Sequence, residues 1–144
     1  MQQPSNTAVL LLRLSLAATF LSAVASRLHF WGSQSSGWKA FLQYTAEVNS
    51  FAPAGIIPFL AVAATILETL FALSFIIGFK LRWSGLGAGI LTLLFALAMT
   101  YSMGIKSPLD YSVFVFSASA FLLSQTKPDK WSLDGFAGKP RVQK

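Results

Sequence analysis

One acidic residue, Glu68, lies in the middle of an otherwise apolar stretch, Pro58–Phe79. As an α-helix this stretch would be roughly 33 Å long, which is enough to cross a bilayer core of about 30 Å. A carboxylate near the bilayer centre costs about 2.5 kcal/mol or more, so it is rarely present without a partner or a function. The stretch therefore predicts a membrane-spanning helix whose Glu68 faces other helices rather than lipid.

Small side chains share the Glu68 face of this helix at helical spacing, namely Ala61, Ala64, Thr65 and Ala72. Such a face permits close helix packing in lipid. Two roles for Glu68 remain open at this point. The carboxylate can accept a proton or a hydrogen bond from a bound quinol or other polar ligand, or it can be a purely structural polar contact between helices.

Arg13 interrupts the first apolar stretch, Ala8–Ala25, and is the obvious partner for Glu68. We predict that Arg13 and Glu68 together form a buried polar centre. The alternative follows from the small polar residues of the same helix, which lie nearly opposite Arg13: Ser15, Thr19, Ser22 and Ser26. If these residues form the packing face, the Arg13 side chain extends to the membrane interface and never meets Glu68.

A second group of candidate residues lies at the other ends of the apolar stretches and could form an outer ligand or docking site: His29, Trp31, Trp38, Tyr44, Glu47 and Asp110. Aromatic walls with one histidine donor would suit a quinone head group. An aromatic belt at the membrane interface explains the same residues without a ligand. Asp110 is also explained as an acidic residue in the first turn of a helix. A lone histidine is a poor metal site, so we predict no metal.

Composition excludes several classes of protein. The chain has 144 residues, of which 54% are hydrophobic and 11% charged, whereas soluble domains carry about 25% charged residues. The absence of cysteine excludes disulfides, thiolate metal sites and covalent c-type haem, and the single histidine excludes a bis-histidine haem within one chain. A quinone remains a possible cofactor. The net charge of +6 is concentrated at the ends of apolar stretches and in the tail, which indicates a lipid bilayer as partner and no nucleic acid.

Four apolar stretches predict helices at about 8–26, 58–79, 83–103 and 108–124, because a backbone in lipid must satisfy its own hydrogen bonds. We therefore predict an all-α, four-transmembrane-helix bundle, with residues 1–144 as a single membrane domain. Helical spacing of apolar residues predicts a short amphipathic helix, Ser36–Val48, in the first extracytoplasmic loop, on the membrane surface or capping the bundle. Residues 125–144 are predicted to be a solvated basic tail.

Gly85 and Gly89 form a GxxxG pattern in the third stretch, which predicts a close-packing seam. The seam could lie within the bundle or join two copies into a homo-oligomer. Ala23-Val24-Ala25 resembles a signal-peptidase site, but the apolar residues before Arg13 lack the charged region that such signals begin with. We therefore expect the first helix to be retained.

Lysine and arginine counts near the helix ends predict the orientation. With four spans, one side would carry seven basic residues and the other three. The richer side contains Lys80, Arg82, Lys127, Lys130, Lys139, Arg141 and Lys144, and the poorer side contains Arg27, Lys39 and Lys106. Because positive residues favour the cytoplasm, both termini are predicted to be cytoplasmic, in the inner membrane of a bacterium, with the long first loop outside.

The ordered set of polar and glycine residues in this chain resembles the DoxX family of small bacterial membrane proteins. The set consists of Arg13, Arg27, Glu68, Gly78 with Lys80 and Arg82, and Ser132-Leu133-Asp134. The resemblance covers the chain apart from Gly32–Pro53 and the last ten residues. One departure is the exit of the first helix, which reads Ser-Arg-Leu-His, where the family more often has Gly-x-x-Lys.

The resemblance implies a four-helix integral membrane protein, with relatives linked to membrane oxidoreductase complexes. It leads us to expect an accessory or quinone-associated subunit of a membrane oxidoreductase system, with an oxidoreductase partner protein. Two alternatives remain: a small proton-coupled transporter or permeability component that uses Glu68, and a non-catalytic membrane assembly factor. No phosphate loop, nucleophile elbow or dinucleotide fingerprint appears in the sequence. Whether the chain is an enzyme stays open.

Overall fold

The computed structural model describes residues 4–137, and every regular element within them is a helix. The α-helices are α1 (Asn6–Arg27), α2 (Gly37–Val48), α3 (Ile57–Ile77), α4 (Leu81–Met103), α5 (Lys106–Asp110), α6 (Val113–Gln125) and α7 (Leu133–Ala137). Two short 3-10 turns, Gly32–Gln34 and Ala54–Ile56, flank α2. We call the end of the bundle that holds residues 126–137 the tail end, and the end that holds α2 the loop end.

Within residues 4–137, three helices are long and apolar enough to cross a membrane: α1, α3 with its preceding turn, and α4. The last apolar stretch is shorter than predicted, because the chain breaks between α5 and α6. Ser112 adopts a left-handed conformation, with φ of 55°, so it cannot continue a right-handed helix. Only the 13 residues of α6 remain as a regular apolar helix. The protein is therefore an all-helical, multi-pass membrane protein.

The glycines of α4 are used for packing inside the bundle. A Cβ atom at Gly85 would lie 2.9 Å from both the carbonyl oxygen of Ala120 and the amide nitrogen of Ser124, and one at Gly89 would lie 2.8 Å from the Phe121 ring. The α4 and α6 backbones are therefore in close contact along this seam, which is the most extensive helix pair in the fold. Because α6 covers both glycines, the prediction of a homo-oligomer through Gly85 and Gly89 is wrong.

Helix α1 packs antiparallel to α3 and buries the face that carries Arg13. Val9, Leu16, Phe20 and Val24 are buried on this face, together with aromatic contacts from other helices. The polar stripe of α1 lies on the exposed side instead, so the alternative in which that stripe forms the packing face is wrong. In lipid a helix can expose a hydroxyl group that donates a hydrogen bond to the backbone of the same helix. Thr19 does so, because its hydroxyl donates to the Ser15 carbonyl at 3.0 Å.

A glycine-to-alanine pair tests the α4–α6 seam. Gly85→Ala should lower the melting temperature in detergent and cost about 1–3 kcal/mol, because the added methyl group forces two backbones apart. Gly55→Ala is the matched control, since a Cβ at Gly55 has no heavy atom within 4 Å. Equal thermal stability of the two variants would show that α4 and α6 are not in close contact.

Candidate functional site

Arg13 does not contact Glu68; its partners lie at the tail end of the bundle. Its side chain is fully buried, and Nε donates to the Phe75 carbonyl and Nη2 to the Ile76 carbonyl, each at 2.9 Å. Both carbonyls belong to the last turn of α3, where the helix itself supplies no donors. Nη1 lies 2.5 Å from Oδ2 of Asp129. The predicted Arg13–Glu68 centre is wrong, because the antiparallel register places Arg13 about two turns away from Glu68 along α3.

The acidic partner, Asp129, comes from the segment that the sequence predicted to be a solvated tail. Asp129 is buried, its Oδ1 accepts from the Trp131 amide at 2.9 Å, and its carbonyl accepts from the Ser132 hydroxyl at 2.6 Å. The Lys130 amide donates to Asn6 Oδ1 at 3.2 Å, which joins the tail to the start of α1. The prediction of a solvated tail is therefore wrong for this segment, and the part of the tail after Ala137 lies outside the described residues.

Asp134 joins the same segment to the turn between α3 and α4. Its carboxylate accepts from the amides of Lys80 and Leu81 at 2.9 and 2.8 Å, which caps the N-terminus of α4. Its own amide donates to the Gly78 carbonyl at 3.0 Å. Gly78 has φ of 70°, and a Cβ there would lie 2.3 Å from Ser132 Cβ, so only glycine fits.

The partner of Glu68 is Arg27, the last residue of α1. Arg27 Nη2 donates to Glu68 Oε1 at 3.1 Å, and Nη1 lies 2.7 Å from Oε2. Nη1 also donates to the Thr65 hydroxyl at 3.2 Å, one turn earlier on α3. The guanidinium carbon lies 3.8 Å from the centre of the Phe41 ring of α2, a cation–π contact. This pair therefore connects α1, α2 and α3 at one point.

The Glu68 carboxylate is almost completely buried. Only 3% of the residue is exposed. Oε2 is itself buried and lies 2.7 Å from Arg27 Nη1. Arg27 therefore compensates the charge of a carboxylate that is removed from solvent.

Glu68 forms part of the wall of a groove of about 520 Å³ that is bounded mainly by α1, α4 and α6. This volume lies within the range of small-molecule sites. Its walls combine aromatic rings with hydroxyl groups, including Phe20, Phe95, Phe116, Thr19 and Thr92. The groove opens between α1 and α6, where exposed residues of both helices line it. A ligand that enters here would come from the side of the helix bundle.

Comparison with known protein families shows to which family the chain belongs. A family model for DoxX matches residues 8–101, which is more than half of the chain. The chain belongs to the DoxX family. The matched region includes Arg27 and Glu68, whereas Asp129, the countercharge of Arg13, lies beyond it. No curated protein and no solved structure gave a match.

The six outer residues predicted in this DoxX protein do not converge on one site. The His29 imidazole lies on Gly37, where an added Cβ would be 2.5 Å from Nε2. The Trp31 indole donates to the Ser22 carbonyl at 3.2 Å. Both contacts stabilise the position of the turn after α1 against neighbouring backbone. These contacts give His29 and Trp31 a structural explanation, and a ligand role for them stays a prediction.

The other predicted outer residues have separate surroundings. The centre of the Trp38 ring lies 5.6 Å from that of Phe41. Phe41 in turn contacts Arg27, so Trp38 is linked to the Arg27–Glu68 pair only through Phe41. The Tyr44 hydroxyl lies 3.8 Å from Met99 Sδ, Glu47 is exposed on α2, and Asp110 forms an exposed ion pair with Lys106.

Sequence reasoning missed Arg27, Phe41 and Asp129 as members of the two buried clusters. The chain contains only five acidic residues, and a buried arginine needs one of them. This small number of acids could have suggested Asp129 as the ion-pair partner of Arg13, since the tail and the start of α1 are predicted on the same side of the membrane. The position of Phe41 over Arg27 depends on how α2 packs, for which the sequence holds no comparable signal.

Two aspartate variants test the Arg13–Asp129 pair. Asp129→Asn should cost about 3–5 kcal/mol in the free energy of unfolding, because it leaves a buried guanidinium without its countercharge. Asp110→Asn should cost less than about 1 kcal/mol, since that pair is 84% and 57% exposed. Thermal unfolding in detergent measures both. Adding Arg13→Met to Asp129→Asn should recover part of the loss, and failure to recover any would contradict the pairing.

The ionisation of Tyr44 predicts a loss of stability in alkali. Burial raises the pKa of Tyr44 above its ordinary value of 10.0, and the nearby Tyr111 and Glu47 raise it further. The folded protein therefore disfavours the phenolate, so the stabilising contribution is complete below pH 10.0 and is lost as the pH rises through the higher folded-state pKa. Tyr44→Phe should lose less thermal stability than wild type above about pH 10, whereas Tyr101→Phe should follow wild type. Identical alkaline profiles for all three proteins would contradict this prediction.

Proposed function

We propose that this DoxX-family protein binds a lipid-soluble quinone in the groove beside Glu68 and acts as an accessory subunit of a membrane oxidoreductase system. In this proposal the chain has four spans in a bacterial inner membrane, with both termini in the cytoplasm. The broken pair α5 and α6 forms the fourth span. The basic residues of the tail end, including Lys80, Arg82, Lys127 and Lys130, support this orientation.

The observation that carries the proposal is a buried, ion-paired carboxylate in the wall of a laterally open groove. An acid inside a membrane bundle usually marks a ligand or ion pathway. A quinone is planar and apolar apart from its ring oxygens, and it travels within the bilayer. Aromatic walls suit its ring, the lateral mouth suits its route of entry, and the Glu68 carboxylate can accept a hydrogen bond from an O–H group of the reduced, hydroquinone form.

A proton-coupled transporter is the second candidate, and the Arg27–Glu68 pair favours it. An ion pair within a spanning segment can exchange its partner when the carboxylate takes up a proton. The third candidate, an assembly factor without a ligand, would use the same pair only to hold helices together. Flux and binding measurements separate the three functions.

Quinone binding to the protein in lipid nanodiscs tests the leading proposal. A short-chain hydroquinone, kept anaerobic, should bind to wild type, and Glu68→Gln should weaken its binding at least about tenfold, because a hydrogen bond to a charged group is lost. Glu47→Gln, a change of the same type on the surface of α2, should leave binding unchanged. Thr19→Phe fills the groove mouth at an exposed position and should also abolish binding, which guards against a folding defect in the Glu68 variant.

Each alternative has its own outcome in these experiments. Proton flux into liposomes that Glu68→Gln abolishes, without quinone binding, would support the transporter. Absence of both binding and flux in folded protein would support the assembly factor.

A further inference from the structure

We propose that the tail end of the bundle binds the headgroups of anionic phospholipids, on a surface built from two chain segments that Asp134 holds together. This tail-end surface consists of four cations and two indole rings: Lys80, Arg82, Lys127, Lys130, Trp83 and Trp131. None of these residues lines the groove beside Glu68, so lipid binding here is independent of the proposed quinone site.

The acids of the tail end are directed into the protein rather than toward its surface. Asp129 is buried and paired with Arg13. The Asp134 carboxylate accepts hydrogen bonds from the backbone amides of Lys80 and Leu81. Neither carboxylate forms an ion pair with a cation of the tail-end surface. The other acids of the chain belong to α2, α3 and α5, so they do not neutralise this surface.

The four cations of the tail-end surface are exposed and unpaired. Each of them is exposed to solvent, and no ion pair within residues 4–137 includes any of them. The Lys130 ammonium lies 4.3 Å from the centre of the Trp131 ring. Four positive charges of this kind at one end create a positive potential, which only an anion from outside this part of the chain can neutralise.

Hydrogen bonds bring the two cationic segments to the same end of the bundle. Lys80 and Arg82 follow α3, whereas Lys127 and Lys130 follow α6. The Asp134 amide donates to the Gly78 carbonyl at 3.0 Å, and its carboxylate bonds to the α3–α4 turn. The Lys130 amide donates to Asn6 at the start of α1. The folded tail therefore adds its two cations to the two of the turn.

Exposed apolar side chains among the cations indicate a lipid rather than a soluble polyanion. Trp83 is 68% and Trp131 47% exposed, and Leu133 and Phe136 are exposed on the same segment as Trp131. A soluble polyanion would neutralise the cations but leave these apolar groups in water. The membrane interface accommodates both, because indole rings partition to the headgroup level and lysine side chains extend from there to anionic phosphates.

Lipid retention by the wild-type protein tests the proposal. Nanodiscs that contain equal amounts of phosphatidylglycerol and phosphatidylcholine supply both lipids, and native mass spectrometry counts those that stay bound. The wild-type protein should retain phosphatidylglycerol at least about tenfold more than phosphatidylcholine, since several cations act near the headgroup. The preference should decrease as the salt concentration rises, because salt screens exposed charges.

A matched pair of double variants locates the surface. Lys127→Gln with Lys130→Gln should lower the preference for phosphatidylglycerol at least about fivefold, because two cations are lost. Lys39→Gln with Lys106→Gln removes the same charge from the loop end and should change the preference less than about twofold. All four side chains are exposed, so both proteins should fold, and melting temperatures in detergent check this.

Asp134→Ala separates an assembled surface from net charge. The variant loses a negative charge, so net charge alone predicts a stronger preference for phosphatidylglycerol. The assembled surface predicts a weaker preference, because the tail loses its bonds to the amides of Lys80 and Leu81. A stronger preference in this variant would overturn the proposed assembly of the surface.

Three further results would overturn the proposal. The first is equal retention of the two lipids by the wild-type protein. The second is an equal loss of preference in the two lysine double variants, which would show that total charge and not the tail end is responsible. The third is binding of soluble polyglutamate to the protein in phosphatidylcholine nanodiscs without any preference for phosphatidylglycerol, which would indicate an acidic protein as the partner.

Discussion

A guanidinium inside a membrane bundle must find an opposite charge and acceptors for its N–H groups, and the fold is organised around two such groups on α1. Arg13 near one end is paired with Asp129, and Arg27 at the other end is paired with Glu68. Leaving either arginine buried without its acid would cost several kcal/mol, a large part of the stability of a typical domain. The Arg27–Glu68 pair and the hydrogen bonds from Arg13 to the Phe75 and Ile76 carbonyls fix the register of α1 against α3.

The pair at the tail end shows how one buried charge organises distant segments. Asp129 can reach Arg13 only if residues 126–132 return to the bundle, and this return places Asp134 at the start of α4. Gly78 has to be a glycine because the returning chain passes where its side chain would be. Helix capping, the α3–α4 turn and the tail thus depend on the same electrostatic contact.

The pair at the loop end has a different character, because its carboxylate lies in the wall of the groove. α4 and α6 pack closely through their glycines, whereas α1 and α6 have fewer contacts, with the groove between them. The uneven packing of α6 is therefore what gives the buried carboxylate a route to the side of the bundle. A tighter α1–α6 contact would have closed that route.

The sequence by itself determined the helical class, the membrane location and the burial of Glu68, because each depends on local composition and helix length. Apolar stretches of about 20 residues specify spanning helices, and the DoxX resemblance is confirmed by a family match over residues 8–101. The sequence could not determine which acid meets which arginine. Arg13 could be paired with either Glu68 or a tail acid until the register of α1 on α3 and the path of the tail were known. Tertiary structure alone decided these partners, since contacts between residues 41 and 116 positions apart depend on how helices pack and not on local pattern.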